Sequence, residues 1–293
     1  GFFTASGSLG AMAGAWLVKT YTPVVGSLGM LNYSAVPHLL LLGCFLLTIR
    51  RSRGVAAGLK TVSSREREDR ATSSTASLVA ATPFRPDSGL ALFREYRFLP
   101  WLLILVSLIQ LLVSLTDFTL NRFVETAFSS LDTRTTYLAS VYLQINIIAF
   151  FLQFVVMAPA LKWYGVFPTH FTIPALLTAG FVVLLLYPQV ALAGMLFVFL
   201  KASDYSILRG AREVLYLPVS LEAKYKAKSI IDVYVYRAAK VLSSFLILLL
   251  RSLQGDLVLI VNLVLIAASS LWCLVIPVLK RRWGEISPPG SPP

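Results

Sequence analysis

The 293-residue chain is poor in the side chains from which redox and metal centres are built. Its two cysteines, Cys44 and Cys273, lie inside apolar runs, where a thiol reads as a small buried hydrophobe and not as a disulfide partner. Its two histidines, His38 and His170, have no second His or Cys at metal-ligand spacing and read as helix-end residues. No Ser/His/Asp order, Cys/His pair, paired carboxylates in one helix or phosphate-cradling glycine loop occurs, which argues against an enzyme. Neither a cofactor nor a metal is expected. Charge is scarce as well, at 14% of residues, and acidic charge scarcer still, with 14 Asp and Glu against 26 Lys and Arg.

Apolar residues fill the space left by these absences. They make up 57% of the chain, and the mean hydropathy is +0.75, more than a water-soluble domain can cover with polar surface. The expected fold class is an all-α membrane protein. Taking about 20 residues per crossing, eight spans are predicted, at 5–25, 31–49, 99–121, 136–160, 168–187, 189–208, 230–251 and 256–280. In the first, Gly7, Gly10 and Gly14 with Ser6 and Ala11 make a small-residue face suited to close helix packing. Pro188 sets a tight hairpin between the fifth and sixth spans. The net charge of +12 would suggest nucleic acid in a soluble protein, but here the basic residues bracket the apolar runs as orientation signals do, so no nucleic-acid partner is expected.

Residues 50–98 are rich in Ser, Thr, Arg and Glu without helical periodicity and read as a flexible linker. Their ten basic residues put the linker on the cytoplasmic side by the positive-inside rule. Threading the spans from there leaves 19 basic residues inside and three outside, Arg122, Arg134 and Arg251. The predicted organisation is then 1–49 as the last two helices of an N-terminal bundle, 50–98 as linker, 99–282 as a six-helix C-terminal bundle and 283–293 as a disordered tail. The linker's place after two spans and before six suggests the later two-thirds of a twelve-helix major-facilitator-like bundle, and the start at Gly1, with no charged leader or cleavage site, reads as that of a fragment.

Ionisable and amide side chains at membrane depth are costly and usually face a cavity. Gln110, Ser114, Asp117 and Asn121 share one helical face of the third span. Asp117 is the sharpest of them, with capping or pairing near the helix end as its plainer role. Tyr142, Asn146 and Gln153 form a second polar face, with Gln144 and Ser140 beside it, where interhelical hydrogen bonding competes with substrate contact. Lys201 and Asp204, one turn apart, are expected to neutralise each other. In the seventh span Asp232, Tyr236 and Lys240 lie on one face with Arg237 adjacent. Lys240 is about ten residues deep, and a lysine there needs an aqueous cavity, a carboxylate or an anionic ligand. Asp204 and Asp232 are read as members of structural pairs.

The stretch from Lys201 to Lys240, through "KASDYS", "REVLYLP" and "KAKSIIDV", resembles the signature region of the ATP:ADP antiporters of the bacterial and plastid type. The resemblance implies a twelve-helix major-facilitator-like fold, with this chain matching helices five to twelve. It also implies a multi-pass protein of a bacterial inner membrane and a nucleotide as partner besides lipid. In that family a lysine in the helix after the signature is implicated in nucleotide transport, and Lys240 falls on its position. A family glutamate falls on Asp117, and a nearby family lysine on Asn121. The implied function is nucleotide transport by alternating access. Lys240 and Arg237, with Lys201 as a further candidate, would attract phosphate, and Tyr236, Asp117, Asn121, Gln144 and Asn146 would complete the substrate site. The alternative is a non-transporting scaffold or sensor that keeps the fold and binds soluble partners, of unknown identity, through its basic loops.

Overall fold

The computed structural model describes residues 2–37, 39–49, 91–252 and 255–286. The chain divides into two units, Gly1–Pro23 with Pro86–Pro293, and Val24–Arg85. Among the described residues every regular element is helical, and seven helices are long and apolar enough to cross a membrane. The protein is an integral, multi-pass membrane protein of all-α class. The labels used below are α1 (Phe2–Tyr33), α2 (Leu99–Ala127), α3 (Leu131–Tyr164) and α4 (Val166–Leu186). The rest are α5 (Val190–Tyr205), α6 (Ile207–Leu215), α7 (Leu221–Arg251) and α8 (Leu257–Gly284).

The first two predicted spans, 5–25 and 31–49, both fall in the helical stretch Gly7–Ile49, which counts once among the seven. Its 43 residues would rise about 65 Å as a continuous helix, roughly twice a hydrocarbon core. Gly26 interrupts it at φ 79°, a left-handed conformation that glycine adopts without a side-chain clash. The small-residue face expected at Gly7, Gly10 and Gly14 has no partner among the described residues: an added Cβ would meet nothing within 4 Å at any of the three. Cys44 and Cys273 are free, but neither is buried by protein. A span's outer face is left for lipid to cover, so an apolar run does not imply protein burial. Most of the predicted linker, residues 50–90, lies outside the described residues, as do His38 and 287–293 of the predicted tail. Trp283, which the sequence reading places in that tail, instead ends α8 inside the bundle, donating its indole N–H to the Leu215 carbonyl at 3.1 Å.

In the larger unit α2 is the central post. It packs against α8, α5 and α7, while α4 packs on α8 and α5, and α3 on α5. The sequence explains this, since Leu102, Leu105, Ile109, Leu112 and Leu115 form one buried stripe of α2 and Leu99, Val106 and Val113 widen it to the neighbouring face. Between helices in lipid, close packing and hydrogen bonds replace the hydrophobic drive. Thr178 on α4 donates to Ser269 on α8 at 2.8 Å, and the Tyr137 hydroxyl on α3 donates to the Val190 carbonyl at the start of α5 at 3.0 Å. The α4–α5 hairpin turns at residues 187–189, around Pro188 as predicted. Two helices contain wider π-helical turns. In α3 they are Leu152–Val156 and Ala160–Tyr164, flanking Pro159, which has no N–H to give the ladder. In α7 the turn is Ile230–Val235, around Asp232.

Candidate substrate site

Four helices of the larger unit bring a carboxylate, two lysines and several aromatic rings to one place. Asp117, half-buried on α2, lies in the electrostatic field of both Lys201 on α5 and Lys240 on α7. It forms no direct ion pair with either, among the described residues. Asn121, one turn further along α2, donates its amide to the Asp117 carbonyl at 2.8 Å and reaches the carboxylate at 3.5 Å. Lys201 donates to the Tyr205 hydroxyl at 3.2 Å and lies 5.1 Å from that ring's centre and 5.9 Å from the Phe197 ring. Lys240 sits 4.8 Å from the centre of the Tyr236 ring. Ammonium groups over aromatic faces are held by the ring quadrupole while keeping donors free. Tyr142 on α3 packs edge-on against Phe197, and its hydroxyl is in the field of Asp117 and Tyr205.

Of the residues singled out in the sequence, Asp117, Asn121, Lys201, Tyr236 and Lys240 are thus assembled. Gln110 and Ser114 share the Asp117 face. Gln110 is fully buried with neither end of its amide partnered, and Ser114 is half-buried. Asn146 binds the Tyr142 carbonyl of its own helix at 2.8 Å. Gln144 and Arg237 are exposed, and neither takes part in these contacts. The rings of Tyr142, Phe197 and Tyr205 join the lysines although sequence spacing gave them no such partner. A tyrosine at i+4 from a lysine, as in Lys201–Tyr205, was the available signal.

The expected Lys201–Asp204 pairing is replaced by another. Asp204 is buried and faces Arg212 of α6 at 3.5 Å, and the same guanidinium lies 3.9 Å from Asp232 of α7. Lys228 of α7 pairs with Glu213 of α6. Lys201 points along the face it shares with Tyr205, so its one-turn neighbour Asp204 falls on the other side, toward α6. A charged cavity of about 410 Å³ lies beside the lysines, lined by Asp204, Arg209, Arg212, Glu213, Lys228 and Asp232, with Tyr205 and Tyr236 on its wall. His170, expected at a helix end, is fully buried in α4 with neither ring nitrogen partnered, within the field of Arg212. Tyr216, in the turn after α6, is also buried with its hydroxyl unpartnered, and burial, aided by the Asp232 charge, pushes that phenol up from its ordinary range.

The folded chain is a multi-pass membrane protein in which a carboxylate, two lysines and aromatic rings gather from α2, α3, α5 and α7. Residues 154–283 match the family described as TLC ATP/ADP transporter, consistent with a partial chain of that family. The matched stretch runs from within α3 almost to the end of α8 and contains Lys201, Asp204, Arg212, Asp232, Tyr236 and Lys240. That match supports nucleotide transport as the general function, and the family is one of transporters, not enzymes. No curated protein and no solved structure matches the chain.

Proposed function

We propose that the chain carries a nucleotide, ATP, ADP or a related phosphorylated anion, across a bacterial inner membrane by alternating access. The observation that carries this reading is a pair of lysines on different helices, each held at an aromatic ring, Lys201 at Tyr205 and Lys240 at Tyr236, with Asp117 of a third helix within the field of both. Lys240 and Lys201 donate to phosphate oxygens, each as a compact point charge. Tyr142 and Tyr205, both partly exposed, offer ring faces for the base. Asp117, held in place through Asn121, balances the lysines while the site is empty. Binding is the work, and no bond is broken. Residues 99–282 act as one six-helix bundle, and the basic segments 50–98 and 209–228 face the cytoplasm together with the C-terminus.

The full chain in detergent should show a raised thermal-unfolding midpoint with ATP or ADP. A ligand that binds only the folded state stabilises by about 2.7 kcal/mol at a hundred times its dissociation constant. Inorganic sulfate at matched ionic strength should give a smaller rise. No response to any nucleotide contradicts the reading and leaves the scaffold as the alternative.

A further inference from the structure

The short helix α6 sits between α5 and α7, with its apolar side chains Ile207, Leu208, Ala211 and Leu215 buried and its polar side turned to the charged cavity. The chain leaves α5 at Ser206, makes α6, and starts α7 after the Ser220 cap. Every ion pair around the cavity crosses one of these boundaries. Arg212 joins α6 to Asp204 of α5 and to Asp232 of α7, and Lys228 of α7 returns to Glu213 of α6. The lining holds three basic residues, Arg209, Arg212 and Lys228, against three acidic ones, Asp204, Glu213 and Asp232. A lining so balanced has little net pull on an anion, which argues against a second phosphate site and for a closure that neutralises itself.

The closure is loose. At 3.5 and 3.9 Å the Arg212 contacts exceed the roughly 2.7–2.9 Å of a charge-assisted hydrogen bond. The two partners also differ: Asp204 is 8% exposed and Asp232 33%, so Asp232 is the one that can swing into water. Asp232 sits in the π-helical turn of α7, a local break in the regular ladder of the kind often found at functional sites. Tyr205 and Tyr236 line the cavity and also hold Lys201 and Lys240, so the cavity adjoins the substrate site.

We propose that Arg212 is a clasp that closes the α5–α7 end of the substrate site, and that release of Asp232, with Asp204 retained, opens it. This rests on the transport reading only for what passes through. The test uses the full chain with Cys44 and Cys273 changed to serine and Tyr236→Cys as reporter on the cavity wall, reconstituted in liposomes. A membrane-impermeant maleimide is applied from each side in turn. Asp232→Asn should raise labelling from the α6 side about fivefold, the scale of one weak ion pair, and Asp232→Glu should return it to the parent rate. Arg212→Lys, which keeps the charge and loses the two-armed reach, should also raise it. A merely structural pair would move the unfolding midpoint and leave the sidedness unchanged. Equal labelling rates in the parent, Asp232→Asn and Arg212→Lys, all folded, overturn the clasp. If the rates shift as stated while the chain with Tyr236 intact takes up neither ATP nor ADP, the clasp stands and the transport reading fails.

Discussion

Lys240→Gln is expected to cut nucleotide uptake at subsaturating concentration by roughly 10- to 150-fold, the factor that a lost charge-assisted hydrogen bond of about 1.5–3 kcal/mol produces. The protein should still fold, because Lys240 is exposed and, among the described residues, its side chain's close contact is the Tyr236 ring. On sequence spacing alone Lys240 could balance Asp232, which lies on the same face of α7. A purely structural lysine of that kind would be rescued by removing the carboxylate too. Asp232 is instead engaged by Arg212 at 3.9 Å. The double change Lys240→Gln with Asp232→Asn should therefore stay inactive, since it returns no cation to the phosphate and loosens the α6 end as well. Initial uptake rates for the two single variants and the double variant decide this. Near-parental uptake in Lys240→Gln would pass the phosphate role to Lys201.

The second large effect falls on stability. Arg212→Leu removes the only cation paired with Asp204 among the described residues and leaves that carboxylate buried, with one oxygen already lacking a hydrogen-bond donor. Breaking a buried pair from one side costs about 3–5 kcal/mol, because a charge is left uncompensated. The unfolding midpoint in detergent should drop sharply. Arg212→Leu combined with Asp204→Asn should recover most of the loss, as the buried charge goes with its partner. If Arg212→Leu alone unfolds at the parent midpoint, Asp204 has water or another donor and the network is not a structural tie.

The spans were legible because hydropathy reports directly on lipid: the six predicted helices after residue 98 all appear, most with ends lengthened, the largest shift moving the start of α7 from 230 to 221. The exact break between the first two spans was less legible, since Gly26 is only one of several glycines in that apolar stretch. Within the site, periodicity placed Asp117 with Asn121 and Tyr236 with Lys240, because each pair lies on one helix face. Partners on different helices were beyond its reach. Arg212 counts only among the 19 basic residues that threading puts inside, yet it lies between carboxylates 8 residues before it and 20 after it in the sequence. Asp204 was assigned to Lys201 because the two are one turn apart, but a side chain's direction is set by its neighbours in space. His170 was set aside for want of a second ligand, and only the fold buries it.

Uptake of radiolabelled ATP and ADP into liposomes containing the full chain tests the central claim most directly. The account predicts saturable, time-dependent uptake above protein-free liposomes, competed by unlabelled nucleotide and largely lost in Lys240→Gln. Uptake no greater than in protein-free liposomes for either nucleotide, from a chain shown to be folded and inserted, would contradict it.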